Sequence, residues 1–366
     1  MKVAFYNVTA SFIQGGLETY CWEAGRALAR RGHDVTIVAG NRGHARHSEV
    51  ALVQYPFRAE KEWPDFGVRF RRLAERMSFA YRGSYEHLMD SRYDAIVVNK
   101  PFDFPILWRA RRAGLKATTL FRSGGTDFFP MDKYFSDAID IWASTSRYNA
   151  GQIHSRYGRA VEVIHNGVDI GAFSPALVDG EARAQLARPD QLIVMSVGRL
   201  VGWKGLHVIV QAMVDLPSAV YVVVGSGPEE GPMRDLASKL GVAERVVFAG
   251  RVAHADLPRL LAQADLFVQP SIGEEAFGIS VVEAMASGLA VLASSNGGLP
   301  EIVVDGATGL LLTPGDVAAW SGAIRALVTD ESRRKSMGNA GRERAHSDFT
   351  WAANAARLDS LLMGAR

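Results

Sequence analysis

Short apolar runs of strand length recur along this 366-residue chain, each closed by a glycine or polar turn and followed by a longer segment of helical apolar spacing. Parallel strands joined by crossover helices fit that alternation, because a parallel pair needs a long connection and both faces of its sheet must be covered. The opening sets the pattern: a strand at 3–6, a glycine turn at Gly15-Gly16, a helix over 17–31 and a strand at 35–39, which is a βαβ unit. Further strands are expected at 95–98, 117–121, 141–143 and 161–164. After a stretch at 169–189 that holds Pro175 and Gly180 and has no long apolar period, strands recur at 192–197, 220–224, 246–248, 266–269, 290–293 and 309–312. Helices over 205–214, 233–240, 256–264 and 280–286 alternate with them. The expected fold is therefore α/β, with one Rossmann-like doubly wound domain over 1–170 and a second over 171–350. A helix over 351–362 has no strand after it and is able to pack on either domain, the first included.

Composition bounds the function. With 41 Lys+Arg against 39 Asp+Glu, the net charge of +2 supplies no field that would argue for nucleic acid, so a polyanionic partner has to be met locally. Cys21 is the only cysteine, which excludes an intramolecular disulfide and a cysteine-based zinc site and suits a reducing cytoplasm. No apolar run approaches the ~18 residues of a membrane-spanning helix. The N-terminal apolar run stops at Asn7 and lacks a cleavage site, so export is not expected and the expected location is cytoplasmic.

The segment from Pro270 to Gly288 is the most informative. Glu275 and Glu283 stand eight residues apart around Phe277-Gly278, where a loop turns into a helix. The amides of Gly278 and Ile279 can then face an anion at the helix N-terminus, as a phosphate would require. Glu283, further into that helix, can accept hydrogen bonds from the vicinal hydroxyls of a ribose. Gly198-Arg199 ends the first strand of the second domain and Lys204-Gly205 opens the next helix, so Arg199 and Lys204 share a strand's carboxyl edge, suited to neutralising a diphosphate. Gly15-Gly16 lets backbone approach phosphates from the first domain. Gly225-x-Gly227-x-x-x-Gly231 resembles a dinucleotide fingerprint, but Pro228 and Glu229-Glu230 crowd it and the opening βαβ context is missing. No two aspartates are separated by a single residue, and His44 with His47 lacks a carboxylate partner motif, so no metal site is expected.

These residues resemble the retaining glycosyltransferases of family 4, which have the GT-B fold of two Rossmann-like domains facing a central cleft. The resemblance spans nearly the whole chain: Gly15-Gly16-Leu17-Glu18, Gly32-His33-Asp34-Val35, His165-Asn166-Gly167-Val168-Asp169, Val197-Gly198-Arg199, Lys204-Gly205, Val224-Gly225-Ser226-Gly227-Pro228, the Glu275–Glu283 string, which is the family's E-x7-E signature, and Gly297-Gly298-Leu299-Pro300-Glu301. It implies that the second domain holds a UDP- or GDP-linked sugar, with Arg199 and Lys204 on the diphosphate, Glu283 on the ribose and Glu275 beside the sugar. Gly15, Gly16, Gly198, Phe277, Gly278 and Ile279 complete the expected donor site, and Glu275, Arg199 and Lys204 are the expected catalytic groups. It also implies a front-face route in which the leaving phosphate takes the acceptor proton. No cofactor or metal is expected. Many relatives carry a histidine near the end of a middle strand of the first domain. The segment 118–127 has none, which leaves Arg122, Ser123 or Asp127 to make that acceptor or sugar contact.

The expected function is retaining transfer of a hexose to an acceptor hydroxyl in cell-surface glycan or glycolipid assembly, lipopolysaccharide included, with a glycan or lipid-linked acceptor. The alternatives are a non-catalytic or partner-dependent subunit that binds the nucleotide sugar, and another GT-B chemistry such as an epimerase or a phosphorylase. Residues 57–116 carry 13 Lys/Arg and 8 Asp/Glu, a local balance of +5. Were 66–82 helical, Phe66, Phe70, Leu73, Met77 and Tyr81 would share one stripe flanked by Arg69, Arg72 and Arg76, a face suited to an anionic membrane surface.

Overall fold

Two sheets carry the architecture in a computed structural model that describes residues 1–13, 15–125 and 127–364. The described chain divides into two compact units, Met1–Gly167 joined by the Trp351–Gly364 helix, and Val168–Thr350.

The first unit holds β1 (Lys2–Tyr6), β2 (Asp34–Gly40), β3 (Ala51–Tyr55), β4 (Ala95–Val98), β5 (Thr118–Ser123), β6 (Ile141–Ser144) and β7 (Glu162–Val163). They form a parallel seven-stranded sheet in the order β3-β2-β1-β4-β5-β6-β7. Consecutive β1 and β2 are neighbours, but β1 also pairs with β4, Val3 opposite Ala95, so the winding reverses between β1 and β4. Ligands in such sheets bind outside the carboxyl ends of the strands at that reversal. Helix α1 (Gly16–Ala29) follows β1, with Glu18 in its first turn and Arg26 in its last, both favourable to its dipole. The C-terminal helix packs on α1. Tyr20 meets Trp351 with ring centroids 6.2 Å apart, and Asp359 pairs with Arg31 at 2.9 Å and His33 at 3.0 Å.

The sequence reading did not anticipate β3. Its residues Ala-Leu-Val-Gln-Tyr are half-buried or exposed because it is an edge strand, so it lacks the continuous apolar signature of the central strands. The stripe expected over 66–82 also differs. Helix α2 runs only from Val68 to Phe79 and its buried residues are Glu75, Arg76 and Phe79. Arg76 therefore does not flank an exposed face: it pairs with Asp103 at 3.0 Å and Glu75 at 3.4 Å inside the unit. Arg72 is likewise engaged, with Asp127 at 2.5 Å. Three members of the expected stripe are nevertheless exposed, Phe66 (74%), Phe70 (43%) and Tyr81 (60%), and Val68 (44%) and Arg69 are exposed beside the first two.

The second unit holds β8 (Leu192–Val197), β9 (Ala219–Val224), β10 (Val246–Gly250), β11 (Leu266–Gln269), β12 (Ala290–Ser294) and β13 (Gly309–Leu312), in the order β10-β9-β8-β11-β12-β13. The run Ala-Val-Tyr-Val-Val-Val of β9 is buried at every position, with Val220, Val222 and Val224 in the core on one face and Tyr221 and Val223 in the core on the other. Burying each such side chain is worth roughly 1.5–3 kcal/mol, which is why both faces of the sheet are covered by helices. Here the winding reverses between β8 and β11.

Candidate active site

The loops at this second reversal carry Gly198, Arg199, Lys204 and Glu275. After β8 come Gly198 and Arg199. Arg199 is exposed, and its side chain makes no hydrogen bond or ion pair among the described residues. Gly225 and Gly227 lie in the loop after β9, where an added Cβ would come within 1.8 Å of the Gly198 carbonyl and 2.2 Å of the Leu200 carbonyl. Their lack of side chains lets the two loops lie backbone on backbone, with the Leu200 amide donating to Ser226 O at 3.1 Å. The Gly-x-Gly resemblance to a dinucleotide fingerprint thus reflects loop packing.

A short turn, Gly202–Lys204, brings Lys204 against the loop that follows β11. Its Nζ donates to Glu275 Oε2 at 2.6 Å, and the two side chains are only 12% and 14% exposed. The hydroxyl of Ser271 reaches the same oxygen at 3.3 Å and the side-chain amide of Gln269 lies at 3.5 Å. The loop is braced from both sides. The amides of Ile272 and Gly273 each donate to Trp203 O at 2.9 Å, Asn296 Nδ2 donates to Ser271 O and Gly273 O, and Gly298 N donates to Glu275 O at 2.7 Å. A Cβ on Gly297 would sit 2.3 Å from Glu275 O, so the glycine pair Gly297-Gly298 is what lets this second segment seal the loop.

The loop ends at Gly278, whose φ of +108° is a backbone conformation suited to glycine, and the helix Ile279–Ala286 starts there with no side-chain cap. Its first amides lack intrahelical acceptors and point back toward the loop. Phe277 is 3% exposed and its ring packs in the core against Phe349 at 5.9 Å, so its side chain anchors the loop and what it presents toward the helix start is backbone.

Glu283 is 4% exposed, and its Oε1 is 2.8 Å from Nε2 of His254, in the loop after β10. His254 was not singled out by the sequence reading, and a lone histidine 29 residues from its partner carries no sequence signal.

In the first unit, Gly15 caps α1 in extended backbone and nothing lies within 4 Å of where a Cβ on Gly16 would stand. The Glu18 carboxylate covers Gly15, its Oε2 2.6 Å from an added Cβ, and accepts from Thr9 Oγ1 at 2.6 Å. A carboxylate in that place opposes a second anion.

Of the three residues expected to replace the family histidine, Arg122 is 1% exposed and turned inward. Its guanidinium donates to Ile164 O at 3.2 Å and to Asn166 Oδ1, and lies 3.9 Å from the Tyr20 ring centroid. Burial pulls its pKa down, and the group holds β5 to α1 and to the segment after β7. Ser123 is buried and donates to Gly125 O at 2.8 Å. Asp127 keeps part of its side chain at the surface. Burial works against its charge, but Lys100 at 2.9 Å and Arg72 at 2.5 Å together hold its carboxyl below the usual range. Among the described residues no three His, Cys, Asp or Glu side chains cluster as metal ligands.

Two family models cover most of the chain: Glycosyltransferase Family 4 over residues 14–171 and Glycosyl transferases group 1 over residues 179–344. A GDP-mannose-dependent alpha-(1-6)-phosphatidylinositol monomannoside mannosyltransferase of Mycolicibacterium smegmatis is 30% identical over 96% of each chain. The chain belongs to glycosyltransferase family 4. The similarly described mannosyltransferase of Mycobacterium tuberculosis is 31% identical over 96% of this chain and 95% of its own. Among solved structures, sucrose-phosphate synthase from Thermosynechococcus elongatus superposes with a TM-score of 0.84 at 24% identity, covering 99% of this chain and 98% of its own. Anabaena HepE in complex with UDP and glucose superposes with a TM-score of 0.81 at 21% identity over 99% of both chains. The two sheets are thus the two Rossmann-like halves of a GT-B fold, and the glycosyltransferase's chemistry is sugar transfer.

Proposed function

We propose that this glycosyltransferase is a retaining hexosyltransferase that takes mannose from GDP-mannose and delivers it to a hydroxyl of a lipid-linked glycan. The donor and the lipid acceptor rest on the relatives that match along 96% of the chain and whose descriptions specify both. The observation that carries the site is the convergence, at the reversal of the second sheet, of Arg199, the Lys204–Glu275 pair and the uncapped start of the Ile279–Ala286 helix.

In this reading the diphosphate lies on Arg199, Lys204 and the amides of Gly278 and Ile279, and Gly198 leaves room for it beside Lys204. Glu283 receives the ribose hydroxyls. When Lys204 turns to the diphosphate, the Glu275 carboxylate loses its ammonium partner and accepts hydroxyls of the sugar. The bond from the anomeric carbon to the phosphate oxygen breaks as the acceptor oxygen bonds on the same face, and the acceptor proton passes to the departing phosphate. The fixed cations and helix end stabilise the charge that develops on that oxygen, so no divalent metal is needed. Asp127, held ionised by Lys100 and Arg72, is the first-unit carboxylate suited to contact the acceptor or the sugar.

No helix among the described residues is long and apolar enough to cross a membrane. The lipid acceptor is met by the exposed Phe66, Val68 and Phe70 with Arg69 among them, which suits the headgroup boundary of an anionic bilayer. The protein then works as a peripheral enzyme on the cytoplasmic face.

A panel of nucleotide sugars with a lipid acceptor extract, scored by nucleotide release and by NMR of the product's anomeric configuration, tests the proposal. The expected result is acceptor-dependent release of GDP and retention of configuration. Nucleotide binding with no turnover of any donor would favour a non-catalytic subunit, and epimerisation of a donor without acceptor would favour an epimerase.

A further inference from the structure

Glu283 has a partner that its proposed task does not require. With its side chain only 5% exposed this carboxylate has lost most of its water, and of its two oxygens Oε1 is 2.8 Å from His254 Nε2. An ionised carboxylate only accepts, so Nε2 carries the hydrogen and donates. The histidine is itself held in place. Its ring centroid lies 5.9 Å from that of the buried Phe173, and the amides of Asp256 and Leu257 both donate to Ala253 O, which fixes the loop immediately before the Leu257–Leu261 helix.

We infer that His254 is a positioning residue: by binding Oε1 of Glu283 it sets the plane of that carboxylate and leaves Oε2 directed at the vicinal hydroxyls of the donor's ribose. The inference rests on the assignment of Glu283 to the ribose and adds to it the group that makes the carboxylate selective. A glutamate without such an anchor turns about its side-chain torsions, and a rotating carboxylate loses the two-hydroxyl geometry that separates a ribose from a deoxyribose. The histidine side chain is 45% exposed, so its replacement removes little buried surface.

The test is binding of ADP, GDP, UDP and CDP to the full-length protein by calorimetry, followed by the tightest of them against its 2′-deoxy form. The wild type is expected to prefer the ribonucleotide by roughly 10-fold or more, the scale of a hydrogen bond to a charged group. His254→Ala should reduce that preference to about threefold or less, and His254→Gln, whose amide can still donate to Oε1, should restore most of it. In turnover, His254→Ala should raise the donor KM with little change in kcat. Equal weakening of both nucleotides in His254→Ala, with the preference intact, would overturn the inference and place the ring against the base. If Glu283→Gln itself leaves the preference intact, or no nucleotide binds, the ribose assignment fails and takes this inference with it. If Glu283→Gln abolishes the preference and His254→Ala keeps it, only the positioning role fails.

Discussion

Lys204 holds Glu275 in the structure and is proposed to hold a diphosphate in the reaction, and one substitution separates the two roles. In Lys204→Met the stem remains and the ammonium is lost. Removing one preorganised charge-stabilising group from a site of this kind costs roughly 100- to 1,000-fold in kcat. The same change leaves the Glu275 carboxylate, its side chain 14% exposed, with Ser271 at 3.3 Å and Gln269 at 3.5 Å as its side-chain partners among the described residues. An under-partnered buried charge costs about 1–3 kcal/mol, and a domain of this size moves by about 2–4 °C per kcal/mol, so the variant should melt roughly 2–12 °C lower. Adding Glu275→Gln removes the stranded charge and should return most of the melting temperature. It should not return the rate. Steady-state nucleotide release and thermal unfolding of the two single variants and the double variant provide the assay. A Lys204→Met enzyme that melts lower yet turns over within about threefold of wild type would show that the lysine is a brace and would refute the diphosphate assignment.

Glu283→Gln should mainly weaken nucleoside diphosphate binding, whereas Glu275→Gln should mainly lower kcat; unchanged nucleotide affinity in Glu283→Gln by calorimetry counts against the ribose role. Turnover should survive a chelator, because cations and a helix end carry the diphosphate charge; complete loss restored by magnesium or manganese contradicts this. Co-sedimentation with anionic vesicles at low salt should be strong for wild type and negligible for a Phe66→Ser, Arg69→Glu, Phe70→Ser variant; equal, negligible pelleting of both would remove the bilayer from the account. Burial pushes the Asp103 carboxyl from 3.8 up to about 6 despite Arg76 beside it. Between those values the folded state keeps a proton that the unfolded chain has lost, so this group makes stability fall as pH rises through that window. Asp103→Asn should flatten that part of the melting-temperature profile, and an unchanged slope would show that another group sets it.

How much of this was legible in the sequence follows from how local each signal is. Strands buried on both faces, such as β9, announce themselves as continuous β-branched runs, and β3 does not because an edge strand owes its place to one neighbour and a half-exposed surface. The Glu275–Glu283 spacing was readable because the loop, Gly278 and the helix are contiguous, so local backbone geometry places both carboxylates. The inward turn of the Arg76, Arg122 and Phe277 side chains was not legible, for the opposite reason. Whether a charged or aromatic side chain turns inward depends on distant partners, here Asp103, Asn166 and Phe349, which periodicity along one segment cannot reveal. His254 belongs with them, since its meaning comes entirely from a carboxylate on another element.

The most direct test of the central claim is the structure of the protein determined with GDP bound. The diphosphate is expected within hydrogen-bonding distance of Arg199, Lys204 and the amides of Gly278 and Ile279, with Lys204 withdrawn from Glu275 and the ribose hydroxyls on Glu283. A nucleotide bound away from the β8 and β11 loops, or one whose phosphates leave the Lys204–Glu275 pair intact, would contradict the account.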